Sequence, residues 1–167
     1  MEKREIKITL ETAMRMYEQG GEFREIALGA FTEKELISGR LPKTWEEFCI
    51  SKGDEGIRIN TALDFAYVSI RKAFTDYHDA EKHIALMKLY LLRDEYRQGW
   101  KPDLTNIIEI KHCILNVKNE FRVVDFTDSN YFLSFESDDI AKEFLNNFRE
   151  LIEQAGDLIL SLWNINI

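Results

Sequence analysis

The chain has 167 residues, 45% of them hydrophobic, with only 2 Pro, 8 Gly and no low-complexity tract, which describes one folded domain over residues 1–167 and excludes a disordered chain. Lys+Arg total 22 against 30 Asp+Glu, and the net charge of −8 argues against a general nucleic-acid coat, whose affinity comes from neutralising phosphates. No run reaches the roughly 18 apolar residues that span a bilayer, and the charged start Met1-Glu2-Lys3-Arg4-Glu5 offers no export signal, so the expected place of work is the cytoplasm.

Ile6 and Ile8 alternate with charged residues and predict a short strand over residues 5–9. The period then changes to that of a helix: Leu10, Ala13, Met14 and Tyr17 share a face, with Thr9 as N-cap and Gly20 as the stop. A second short helix rides on Phe23, Ile26, Ala27 and Ala30. Two capping boxes follow, Thr32 with Glu35 and Thr44 with Glu47, each a hydroxyl three residues before a carboxylate. The first predicts a helix carrying Leu36 and Ile37 that ends near Gly39. The second predicts one carrying Trp45, Phe48 and Cys49, between Pro42 and Gly53.

Residues 54–77 read as mixed, because Ile57-Arg58-Ile59 suits a strand while Ala62 to Phe74 fits either period. A long central helix is predicted from Asp79 to Gln98 on a stripe of Ala80, Ile84, Met87 and Leu91, with Gly99 and Pro102 ending it. Lys111–Val117, a turn at Lys118-Asn119-Glu120 and Phe121–Phe126 predict a hairpin. A turn at Thr127–Asn130 leads to a third strand at Tyr131-Phe132-Leu133. Cys113, Leu115, Val117, Val123, Leu133 and Phe135 are expected on one face, with Ile114, Val124, Phe126 and Phe132 on the other. Ser137 caps an amphipathic helix from Ile140 to Ala155 that should pack on this sheet. The expected fold is therefore α+β: short N-terminal helices, a long central helix, and a three-stranded antiparallel sheet packed by a C-terminal helix. Beyond Gly156 comes an apolar tail that is either core or an interface, in which Leu158, Leu162, Trp163 and Ile165 are candidate interface residues.

Four segments carry a likeness: Leu41-Pro42-Lys43-Thr44-Trp45-Glu46-Glu47-Phe48, Leu92 to Asp103, Leu133-Ser134-Phe135, and Phe144 to Glu153. In these and in their order the chain resembles a family of small uncharacterised proteins carried by phages and prophages of gut Bacteroidales. The resemblance implies a mobile-element origin and a host bacterial cytoplasm, and it carries no catalytic residues. Similar proteins place a second Trp after the Lys-Pro-Asp unit, where this chain has Leu104, so a site built on two tryptophans is not carried over.

The side chains give no catalytic signature. His78 and His83 sit about 140° apart on a helix, and His112 and Cys113 alternate across a strand, so no metal site is expected. Cys49 and Cys113 read as core residues without a disulfide, there is no nucleophile elbow, and Gly20-Gly21 and Gly53-Asp54-Glu55-Gly56 do not make phosphate loops. The acidic pairs, such as Asp94/Glu95 and Asp138/Asp139, suit helix starts and solvated faces. The expectation is a non-enzymatic interaction module, without cofactor, that binds a protein partner or a second copy of itself. One alternative is capture of a nucleotide or host-defence signal by Trp100, Lys101, Arg93 and Tyr96, where an aromatic and cations meet at a helix end. Another is an accessory part of the virion or replication machinery. For Arg93, Arg97 and Lys101 the plainer reading is cations at a helix C-terminus.

Overall fold

The computed structural model describes residues 8–73, 77–103, 105–127, 131–156 and 158–159. Seven helices and three strands follow in order among these: α1 (Leu10–Gln19), α2 (Gly21–Ala30), α3 (Glu33–Ile37), α4 (Trp45–Lys52), α5 (Asp54–Ala73), α6 (Tyr77–Arg97), β1 (Lys111–Val117), β2 (Glu120–Phe126), β3 (Ser134–Phe135) and α7 (Asp138–Ala155). The architecture is α+β, as the periodicities predict.

The first helices begin where their caps say. Thr9 accepts the Thr12 backbone N–H, so Ile8 and Thr9 lead into α1 in place of a strand; residues 5–7 lie outside the described residues. Thr32 and Glu35 form a complete capping box on α3. The second box is half made. Thr44 accepts from the Glu47 N–H, but the Glu47 carboxylate takes the Lys43 backbone N–H at 2.8 Å and both arms of Arg40 at 2.7 and 3.0 Å. A bidentate guanidinium is the stronger partner for a carboxylate than one cap N–H. Ala13, Tyr17, Ala27, Leu36 and Ile37 close a small core between α1, α2 and α3.

Burial pushes the Glu47 carboxyl up, but the hydrogen bonds from Arg40 and Lys43 outweigh it and hold the group below its ordinary range. A carboxyl depressed in the folded state contributes stability above its unfolded pKa and loses it as pH falls through the folded value. Thermal melts from about pH 7 to about pH 3 should show Glu47→Gln less stable than the parent at neutral pH. The two should converge in acid. Parallel curves would show that Glu47 is not a source of the acid sensitivity.

Residues 54–73 are one helix, which corrects the mixed reading. Asp54 and Glu55 in the first turn and Arg71 and Lys72 in the last complement the helix dipole. Gly56 lets the helix start directly against α4, and Ile59 and Leu63 reach the main core. Residues 74–76 lie outside the described residues, and Tyr77 already belongs to α6.

The packed stripe of α6 is Ala85, Leu89, Leu92 and Tyr96, while Met87, expected inside, is 40% exposed. Facing that stripe, α7 buries Ala141, Phe144, Phe148 and Ile152, and packs also on all three strands. Ser137 caps α7 through the Ile140 N–H, and Phe148 interrupts the helical backbone at φ −121°, ψ 22°.

The sheet has the order β2-β1-β3, antiparallel throughout. Its turn is Lys118-Asn119 alone, at φ 53° and 66°, a left-handed pair that matches the twist of a two-residue hairpin. Glu120 is already in the strand, opposite Val117. The third strand lies at Ser134–Phe135 and not at Tyr131–Leu133; Leu133 gives its carbonyl to the Ile114 N–H at 2.9 Å, and Arg93 and Arg97 take the carbonyl of Phe132. The faces differ from the expectation too. Ile114, Phe121, Val123, Leu133 and Phe135 face α7, and Cys113, Leu115, Val117, Val124, Phe126 and Tyr131 form a cluster on the other side. The expected turn residues 128–130 are outside the described residues, as are Leu104, Leu162, Trp163 and Ile165 of the expected sites and tail. Leu158 is half-buried, and Ile159 is buried in the main core.

Candidate functional site

The four residues expected at the end of the central helix have separate surroundings. Tyr96 is buried; its hydroxyl donates to the Pro42 carbonyl at 2.9 Å and accepts from Asn147 Nδ2 at 2.9 Å. Burial pushes its pKa up to about 12. Arg93, 8% exposed, stacks between the rings of Tyr90 and Phe132 at 4.3 and 4.7 Å, and donates to Asp94 and to the Phe132 carbonyl.

The neighbouring Arg97 donates to the Ser134 carbonyl at 2.8 Å and hydroxyl at 2.7 Å. Burial first, and then the charge of Arg93, lower its pKa to about 10. Arg97 therefore staples α6 to β3, and Arg93 staples it to Phe132, two residues before that strand. Gln98 and Gly99, both at positive φ, end the helix. Trp100 N–H bonds back to Arg97, whose guanidinium lies 5.6 Å from the centre of the indole ring. Trp100 is half-buried there, and Lys101 stands in solvent. Arg97 is the member of this group that the ligand-capture reading left out; its place three residues before Trp100 and four after Arg93 was the available signal.

An apolar groove of about 430 Å³ lies between α5 and α6, lined by Leu63, Leu86, Met87, Tyr90, Leu91 and Phe132. Its α5 wall belongs to an unusual helix. Of the twenty residues of α5 only Gly56 and Leu63 are buried, whereas α7 buries six of eighteen. Ile57, Phe65 and Val68 are 66%, 71% and 50% exposed. At about 100° per residue they fall within an arc of about 80°. That arc is turned away from Ile59 and Leu63, so α5 carries apolar faces on two sides and the body of the protein covers one.

His83 and His112 each have a partner, and both cysteines are held protonated. Among the described residues no group of three or more His, Cys, Asp or Glu could hold a metal ion. His83 Nδ1 lies 2.7 Å from the Asp79 carbonyl, and His112 Nδ1 lies 2.8 Å from Asp125. Burial raises the Cys113 thiol to about 12 and raises Cys49 as well, which keeps both protonated. Among the described residues no helix is long and apolar enough to cross a membrane. Compared with protein-family models, with curated proteins and with solved structures, the chain matches none.

Proposed function

We propose that this protein is a non-enzymatic protein-interaction module whose working surface is the outer face of α5. The observation that carries this reading is the stripe of Ile57, Phe65 and Val68, exposed on a helix that has another apolar side packed on the body. A helix apolar on two sides is ordinarily covered on both. Fully burying one large aliphatic or aromatic side chain contributes roughly 1.5–3 kcal/mol, so three on one stripe can hold a protein partner. The likeness to phage and prophage proteins supports a setting inside a bacterial host.

The test is a photo-crosslinking amino acid placed at position 65 in cells, with position 22 on α2 as control. The expected result is a discrete covalent protein adduct from position 65 that disappears when Ile57→Glu is added. Equal labelling from the two positions would remove α5 as the working surface.

A further inference from the structure

Resting on that reading, we infer that the partner of α5 is a second copy of this chain, the two α5 helices lying antiparallel across a twofold axis. The charges at the ends of the helix select this occupant. Asp54 and Glu55 open α5, and Arg71 and Lys72 close it. An antiparallel pair sets the acidic end of each copy against the basic end of the other, while a parallel pair sets like against like.

The same register serves the apolar stripe. Placing Asp54 opposite Lys72 of the second copy centres the pair at position 63. Phe65 then opposes Thr61, and Ile57 opposes the turn that holds Val68. A twofold interface must be complementary to itself. A strip with opposite charges at its two ends and Ile57, Phe65 and Val68 between them meets that requirement, with the polar Thr61 and Asp64 of each copy lying near the axis. At a net charge of −8 two copies repel overall, so pairing needs a local attraction of the kind this strip offers. Three large apolar side chains per copy place the pair at the small end of specific interfaces, below about 1,200 Å². The dimer is therefore weak and dependent on concentration.

Sedimentation of the whole protein from about 5 to about 500 µM tests this with charge reversals that leave the apolar stripe intact. The wild-type mass should rise toward twice that of the chain. Phe65→Glu should stay monomeric with an unchanged circular dichroism spectrum. Asp54→Lys and Lys72→Asp should each associate at least about tenfold more weakly than wild type. Their equal mixture should recover a dimer, because each acidic end then faces a basic one. Wild type monomeric at the highest concentration, or a mixture no tighter than its components, would overturn the pairing. If position 65 still crosslinks to a protein of another mass in that case, the interaction reading stands and only the self-pairing fails. If position 65 labels nothing above its control, the interaction reading itself is lost.

Discussion

Gly56→Ala is expected to destabilise the protein by about 2 kcal/mol, although alanine is the better helix former by about 1 kcal/mol. A Cβ built on Gly56 lies 1.9 Å from the Cys49 carbonyl oxygen and 2.7 and 2.8 Å from its carbonyl carbon and Cα. All three are backbone atoms held in α4, so no side chain can swing aside. The start of α5 must move away from α4, and overpacking of this kind costs about 1–3 kcal/mol or more. Gly29, which has nothing within 4 Å of its own added Cβ, is the control. Gly29→Ala should leave stability unchanged or raise it by up to about 1 kcal/mol. Urea unfolding of the two variants checks both values. Equal midpoints would mean that α4 and α5 are not in backbone contact.

Lys111→Met is expected to cost about 3 kcal/mol, the loss coming from the oxygens it leaves behind. The Lys111 side chain is fully buried, and its ammonium donates to the carbonyls of Asn106 at 3.3 Å, Glu109 at 3.4 Å and Thr127 at 3.0 Å. The Glu109 carboxylate lies 3.7 Å away. Methionine keeps the apolar stem and removes a buried charge, which is a gain. Against it stand three carbonyls that lose their donor, each worth about 1–3 kcal/mol if left buried. The carbonyls win unless water reaches them. The ammonium also ties residues 105–110 to the end of β2, so the loop bearing exposed Ile107 and Ile108 should become sensitive to limited proteolysis in Lys111→Met. Unchanged stability together with unchanged cleavage would show that the ammonium does not hold this loop.

The sequence is most readable where caps and periodicity agree. In α7, Ser137 and the spacing of Phe144, Phe148 and Ile152 state one answer, and the helix is where they put it. In α5 they conflict: Ile57 and Phe65 on one side and Ile59 and Leu63 on the other blur the helical period. The same doubling of apolar faces hid the candidate interface.

The sheet faces went astray through one residue. A three-residue turn pairs odd positions of β1 with odd positions of β2, whereas the two-residue turn at Lys118-Asn119 pairs Cys113 with Val124 and Ile114 with Val123. One residue of loop moves every side chain to the opposite face. Arg93 and Tyr96 look like binding groups in isolation, since nothing local shows that Phe132 and Pro42 arrive from far along the chain to meet them.

The two cores also differ in how far along the chain they must wait to be completed. The core of α1, α2 and α3 draws its members from between Ile8 and Ile50, while the main core joins Leu41 to Ile159. Contacts between near neighbours need little loop closure. As the chain leaves a ribosome, the first helices can therefore settle while the rest is still being made. Leu89 and Leu92 emerge midway and have to wait for Phe144 and Ile152 to cover them. Through that interval the middle of α6 is an apolar stretch open to a chaperone.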